Sequence, residues 1–426
     1  MEWRDYRNTS YRNYVLGMLV LVYAVNFIDR QLVVILQEAI KRDLALSDTQ
    51  LGLLSGLAFA LFYVTCGIPI AHWSESRTRR NVIALALALW SVMTSVCGLA
   101  QNFTQLLVAR VGVGVGESGG SPPSHSMISD MFSPEQRSTA LSIFSLGGSM
   151  GILAGFLLGG WINEFFGWRM AFAVLGIPGL LLALVLRFTV SEPVRGMNDP
   201  IPEVAVSRSM REAFAILLKR PTFVFIALAA GFQGFALFGI GNWLPSYLMR
   251  IHGMGTGAAG TWLALMSGIV GGLGAVAGGL LSDRLGRADR RWYLWIPLIG
   301  LLCAAPLAVA AFLAKSPMAA VYLMMAPMFL HYMYLGPLLA VAHSLVDAHM
   351  RAFASAVLFF ALNLIGFGLG PVFTGFISDL LQIHCGVDAL RYAMTASLLV
   401  GTCGASFMYM RAATHLRSDL AIGASK

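Results

Sequence analysis

The sequence predicts an all-α membrane protein, twelve transmembrane helices in two pseudo-symmetric six-helix bundles, and three observations carry that expectation. First, the composition is too apolar for a water-soluble chain: 57% of the 426 residues are hydrophobic, 12% are charged, and the mean hydropathy is +0.72. A globular chain needs more polar surface than that. Second, the apolar residues are gathered into runs of membrane-crossing length. Third, the second half of the chain repeats signals of the first.

A helix needs about 20 residues to cross the hydrocarbon layer, and in lipid it must satisfy its own backbone hydrogen bonds. Runs of that length fall at 14–40, 48–72, 81–100, 103–129, 138–164 and 168–189. A second set falls at 222–249, 256–282, 292–313, 317–343, 352–380 and 389–411. The first run carries Asp29 and Arg30 inside it, so it reads as a span and not as a cleavable signal. Between the sets lies 190–221, rich in Pro, Arg and Ser. The expected organisation is an N-terminal bundle (1–189), a cytoplasmic linker (190–221) and a C-terminal bundle with a cytoplasmic tail (222–426). The linker contains Arg195, Arg208, Arg211, Lys219 and Arg220 and is expected to be solvated, with contact to anionic lipid as the alternative.

The net charge of +8 would suggest nucleic acid in a soluble protein, but here its placement explains it. With the N-terminus inside, the even-numbered loops and both tails hold 21 of the 29 basic residues. The opposite face holds Lys41, Arg42, Arg169, Arg250, Lys315 and Arg391, and Arg30 and Arg110 lie within spans. That asymmetry predicts cytoplasmic termini. The five cysteines are scattered and form neither a disulfide framework nor a metal site.

Internal duplication supports the two-bundle layout. The stretch from Ala71 to Arg79 after the second helix recurs as Gly279 to Arg287 after the eighth, 208 residues later. Arg137-x-x-Ala140 recurs as Arg351-x-x-Ala354 before the fifth and eleventh helices, and Trp168-Arg-Met-Ala recurs loosely as Leu390-Arg-Tyr-Ala.

These residues resemble the major facilitator superfamily. Its loop pattern G-x-L-a-D-R-x-G-R stands intact at Gly279 to Arg287 and degenerate at Ala71 to Arg79, where Glu75 takes the Asp place and Thr78 the Gly place. Within that superfamily, three motifs look like the Spinster family: Asn26-Phe-Ile-Asp29-Arg30, Arg110-x-Gly-x-Gly-x-Gly-Glu117-Ser, and Glu192-Pro-Val-Arg195-Gly. The resemblance implies a carrier of lysolipids or sphingoid phosphates, many of them proton-coupled, working as a monomer in the bacterial inner membrane without cofactor or nucleic acid. It also implies that the loop copies control a cytoplasmic gate, formed by Glu75, Arg79 and Arg137 in one half and Asp283, Arg284, Arg287 and Arg351 in the other. There the acids would cap a helix N-terminus or pair with Arg137 or Arg351. Gly151-x-x-x-Gly155-Phe-x-x-Gly159-Gly160 resembles the antiporter pattern, but Phe156 stands where Pro is usual.

An ionised side chain at the bilayer centre costs at least roughly 2.5 kcal/mol, so four buried charges ask for a function. Arg110 and Glu117 are two helical turns apart and share a face, whereas Asp29 and Arg30 point about 100° apart. One reading makes Asp29 and Glu117 the proton-coupling pair, biased by Arg30 and Arg110, because burial and a nearby guanidinium push a carboxyl in opposite directions. The other makes them static ion pairs bracing two helices. Arg30 has a second candidate role, binding an anionic head group through its planar fork.

The remaining candidates line a substrate cavity. Gln233 and Asn242 are the polar groups of a glycine-rich seventh helix, and Met328, His331 and Tyr332 belong to a methionine- and aromatic-rich tenth helix suited to an acyl tail. Ordinary packing is the alternative for each. A carrier of small organic anions, sugar acids or drugs would use the same scaffold, and a non-transporting receptor is the third reading. The sequence shows no nucleotide loop, metal-ligand cluster or nucleophile–base arrangement that would point to an enzyme.

Overall fold

Backbone groups in hydrocarbon have no water to bond, so apolar runs of this length close their hydrogen bonds as helices. The computed structural model describes Tyr6 and residues 8–198, 210–347 and 350–424, and among these residues there are helices and turns but no strand. The first six long helices are α1 (Thr9–Leu44), α2 (48–75), α3 (Arg79–Cys97), α4 (103–131), α5 (Pro134–Phe166) and α6 (Trp168–Thr189). After a short helix, Met210–Leu218, come α7 (Pro221–Arg250), α8 (Thr256–Gly286), α9 (Trp292–Phe312), α10 (Pro317–Ser344), α11 (351–385) and α12 (Ala389–Ala424). Twelve helices in two sets of six match the expected fold class, and α12 carries the helix well beyond the expected end of its span.

Helix starts follow local chemistry. Ser47 and Gln50 form a reciprocal capping box at the head of α2 (3.2 and 3.0 Å). Asn102 caps α4 through the N–H of Gln105 at 3.0 Å. Three helices contain π-helical turns: Leu53–Leu57 in α2, Ala264–Val270 in α8 and Leu362–Leu369 in α11.

α4 differs from the continuous span expected over 103–129. It is two helices, Phe103–Glu117 and Ser121–Met131, joined by a turn at 118–120. Pro122 and Pro123 occupy the first turn of the second piece, where no intrahelical N–H is required. They could not continue the preceding helix, because proline supplies no amide donor. The first piece therefore ends on Glu117.

The chain divides into two compact units. Unit 1 comprises Met1–Leu46, Ala58–Glu203 and Gly255–Ala264; unit 2 comprises Ser47–Leu57, Val204–Met254 and Leu265–Lys426. Each unit thus includes a short helical segment from the other half of the sequence.

Within unit 1, Gly147, Gly151, Gly155 and Gly159 form a ridge of small residues on α5 facing α1. A Cβ at Gly151 would strike the Ala24 carbonyl, and one at Gly155 the Ile28 backbone. Close backbone approach is the association device available where lipid removes the hydrophobic drive between helices. Gly151→Val is expected to cost about 1–3 kcal/mol, as overpacking does, and to lower the melting temperature of the purified protein. Unchanged melting would show that α5 can move off α1 without penalty.

Candidate functional site

α1, α3 and α4 of unit 1 bring the four intramembrane charges together. The alternate glycines of α4 make this possible: side chains at Gly112 and Gly116 would meet Met93 and Trp90 of α3, and one at Gly114 would meet the Phe59 backbone of α2. Arg30 donates from Nε to Glu117 Oε2 at 2.8 Å, joining α1 to the end of the first α4 piece. Its guanidinium lies among three rings, 5.1 Å from the centroid of Phe27, 4.8 Å from Phe59 and 4.7 Å from Tyr63. Arg110 lies 5.4 Å from the same Phe59 ring. Aromatic faces attract guanidinium, more so when desolvated, so two cations share one ring and Arg30 has a carboxylate as well.

The other members of the cluster differ from Arg30. Asp29 is fully buried, and neither of its oxygens makes a well-aligned hydrogen bond among the described residues. Thr94 of α3 and Arg110 and Glu117 of α4 are the polar groups around it. Arg30 retains 12% side-chain exposure, whereas Glu117 has none. Nε is the only Arg30 nitrogen with a hydrogen bond among the described residues, so both terminal amino groups keep their donors. A small pocket adjoins the cluster, lined by Tyr23, Asn26, Trp90, Ser121, Ser124 and Phe144.

The residues assigned to a substrate cavity lie in unit 2 and are mostly packed. Gln233 is fully buried; it accepts from Tyr409 Oη at 2.6 Å and donates to the His331 carbonyl at 3.1 Å, tying α7 to α12 and α10. Met328 is buried, and Asn242 donates to the Phe238 carbonyl of its own helix at 3.1 Å. His331 is buried with no hydrogen bond to either ring nitrogen. Tyr332 is half-buried, its ring against Gly271 of α8.

The two loop copies are built differently. In the first, Arg79 is 2% exposed and pairs with Asp130 and with Glu192 (Nε–Oε1 2.8 Å). It also donates to Ser126 Oγ at 2.8 Å and the Pro193 carbonyl at 3.0 Å. Arg195 donates to the carbonyls of Ser74 (2.9 Å) and Arg77 (2.8 Å), at the end of α2. The Gly196 N–H reaches Asp130 Oδ1 at 3.0 Å. Residues 191–198, expected as part of a solvated linker, are thus folded onto the α2–α3 turn; 199–209, with Arg208, lie outside the described residues, as do the side chains of Arg211 and Glu75. Arg137 donates to the Ser129 carbonyl at 2.7 Å.

In the second copy, Asp283, Arg284, Arg287 and Arg351 are exposed and form no salt bridge among the described residues. The expected Asp283–Arg351 pairing is replaced by a hydrogen bond from Tyr293 Oη to Asp283 at 2.8 Å. The acid that gathers arginines is Asp289, bonded by Arg291 (2.9 Å) and Arg417 of α12 (3.0 Å). The hydrogen bond from Arg291 holds its carboxyl down at about 2, so it stays ionised at physiological pH.

Sequence reading missed Asp130, Glu192 as the Arg79 partner, and Asp289. The Glu192-Pro-Val-Arg195-Gly motif contains the second of these, but its contact with the α2–α3 turn spans more than 110 residues of chain.

Twelve membrane-length helices in duplicated sets, with loop signatures after the second and eighth and charges held inside unit 1, define a multi-pass membrane transporter. The family model described as Major Facilitator Superfamily matches residues 19–371, and the chain belongs to that superfamily; it is a transporter and not an enzyme. Within it the chain is of the Spinster type. The crystal structure of a bacterial homologue of the human lysosomal transporter Spinster, inward-facing and unoccupied, matches with a TM-score of 0.90 at 33% identity, covering 96% of this chain and 98% of that one. An MFS-type efflux pump of Mycolicibacterium smegmatis is 32% identical over 405 residues, 95% of this chain and 93% of the relative. A hexuronate transporter of Bacillus subtilis is 27% identical over 398 residues, 91% of this chain and 93% of the relative.

Proposed function

We propose that this Spinster-type transporter carries an amphipathic lipid with an anionic head group, such as a lysophospholipid or a sphingoid phosphate, by alternating access coupled to protons. The setting of Arg30 carries the reading. It is held on one side by Glu117 and on its faces by three rings, and both terminal amino groups have donors to spare. A planar fork with one edge occupied and the other available suits a phosphate oxygen pair. Asp29 and Glu117 are the coupling acids of this reading, and Tyr332 and His331 belong to the wall that meets the acyl chain. The carrier sits in the bacterial inner membrane with both termini in the cytoplasm, where its basic loops are retained. The loop copies hold the cytoplasmic gate.

A second reading, a carrier of small organic anions or drugs, is favoured by the full-length similarity to the efflux pump and the hexuronate transporter. Proteoliposomes decide between them. Labelled lysolipid or sphingosine phosphate should move into vesicles in response to an imposed pH gradient. Arg30→Lys keeps the charge but loses the fork, and is expected to weaken substrate affinity by about 1.5 kcal/mol, the scale of a charged hydrogen bond, with folding retained. No lipid movement by well-folded protein would transfer the assignment to organic anions. Normal affinity in Arg30→Lys would remove the head-group role.

A further inference from the structure

The duplicated loop copies differ in their acids as well as in their arginines. In unit 1, α6 ends at Thr189 and the chain turns back across the α2–α3 turn. Glu192 then meets Arg79, and Asp130 at the end of α4 meets the same guanidinium. Protein alone closes this cluster, with the Gly196 N–H also on Asp130. In unit 2 the equivalent places carry no acid. The offset of 208 residues that relates the loop copies puts Arg287 in the place of Arg79. The offset of 214 that relates Arg137 to Arg351 puts Ser344 in the place of Asp130. The offset of 222 that relates Arg169 to Arg391 puts Thr414 in the place of Glu192.

The backbone differs too. Instead of turning back, α12 runs on to Ala424. Its extension is fixed at the head of α7, where Asp419 accepts from the Thr222 N–H at 2.9 Å and its carbonyl accepts from Arg220 at 2.6 Å. A cleft stays open between the α8–α9 turn and the ends of α10 and α12. Val341, Leu416 and Leu420 form its floor, and Arg290, Tyr293 and Ser344 its rim. Gly286, in the place of Thr78, lets the Tyr293 ring lie on the turn, since a Cβ there would strike it. The acids of this turn are already engaged: Asp289 by Arg291 and Arg417, Asp283 by the Tyr293 hydroxyl. Arg284, Arg287 and Arg290 are exposed and form no salt bridge among the described residues, and Arg417 is 69% exposed. The cleft therefore has an apolar floor, a basic rim and no carboxylate of its own. Its depth is informative. Leu416 and Leu420 lie beyond residue 411, where the apolar run ends, by about 8 and 14 Å of helix. The headgroup layer is roughly 5–8 Å thick on each side of the hydrocarbon, so the near end of the cleft lies within it.

We propose that this cleft binds the phosphate of an anionic bilayer lipid, which gives the second loop copy the negative charge that Asp130 and Glu192 give the first. Guanidinium forks match phosphate oxygens, and basic pockets between helix ends are a known form of headgroup site. The proposal rests on the basic loops lying at the membrane surface and on neither substrate reading. It is tested by native mass spectrometry of the full-length protein purified in detergent, titrated with phosphatidylglycerol or with phosphatidylcholine, which has no net charge. Phosphatidylglycerol should bind the wild type at least about tenfold more tightly, given about fivefold per arginine near a headgroup. Arg287→Gln combined with Arg290→Gln should weaken it about twentyfold on the same scale. Ser344→Asp should also weaken it, because it restores from within the acid that the first copy has. Arg77→Gln combined with Arg187→Gln removes the same charge from exposed positions of unit 1 and should change affinity less than about twofold, as general attraction alone falls off within a Debye length. Melting temperatures near that of the wild type confirm that each variant is folded. Equal losses in the two double variants would overturn the site, as would unchanged binding in both Ser344→Asp and the Arg287, Arg290 variant. Displacement of phosphatidylglycerol by millimolar inorganic phosphate would overturn the lipid as its occupant. Transport does not enter the readout, so failure of the substrate assignment leaves this test intact.

Discussion

Replacing Arg79 by Leu is expected to destabilise unit 1 by about 3–5 kcal/mol, the usual consequence of removing one partner from a buried pair. The side chain is 2% exposed and satisfies two carboxylates, a hydroxyl and a carbonyl. Its removal leaves Asp130, with 9% of its side chain exposed, without its guanidinium, and leaves Glu192 joined to the head of α3 through the Arg80 N–H at 2.9 Å. Because Glu192 is 26% exposed and can turn to water, the lower end of the range is expected. Arg79→Lys should fall between, since an ammonium cannot serve Glu192 and Asp130 from one plane. Adding Asp130→Asn to Arg79→Leu should recover part of the loss, because the orphaned charge goes with it. Thermal unfolding of the purified protein reads all three. A melting temperature for Arg79→Leu equal to that of the wild type would show that this cluster does not brace the α2–α3 turn.

The same cluster shows where sequence reading reaches its limit. Spans, duplication and superfamily are legible because they rest on composition and repetition, which survive without coordinates. The break in α4 was also written in the chain, as Gly119-Gly120-Ser-Pro-Pro, but an apolar run hides a turn when hydropathy alone is counted. Partner choice is a different matter. Asp29 and Arg30 are adjacent, and nothing local says that Arg30 is the one that pairs with Glu117 while Asp29 makes no well-aligned hydrogen bond among the described residues. Asp48 and Arg250 look like ordinary charges at helix ends, where charges are expected, and their pairing joins residues 202 apart. Gln233 reads as a polar group free for substrate until Tyr409 and the His331 carbonyl are seen to use it. The two loop copies, alike in sequence, differ in structure because Glu192 and Asp130 serve Arg79, whereas Arg287 is exposed and forms no salt bridge among the described residues.

Glu117→Gln and Asp29→Asn should each reduce pH-gradient-driven uptake by at least about tenfold, a difference of ~1.4 kcal/mol in the coupled step, while separating from each other in stability. A glutamine at 117 can still accept from Arg30 Nε, so geometry survives, but the guanidinium loses its counter-charge and keeps only its three rings. Some loss of stability is therefore expected, as for any buried charge left uncompensated. Asp29 makes no well-aligned hydrogen bond among the described residues, and its charge faces Glu117 as well as Arg110, so Asp29→Asn should melt close to the wild type, the relief of burying an acid offsetting the lost attraction to Arg110. Coupling and bracing then give opposite patterns. If the acids carry protons, both variants lose gradient-driven uptake yet keep exchange of labelled for unlabelled substrate at equal pH, a process that needs no net proton movement. If they are braces, Glu117→Gln melts early, Asp29→Asn behaves as wild type in both assays, and uptake follows stability. Full gradient-driven uptake in both variants would end the coupling role of this pair and move the search to His331, the remaining buried titratable group of the candidate set whose ring makes no hydrogen bond.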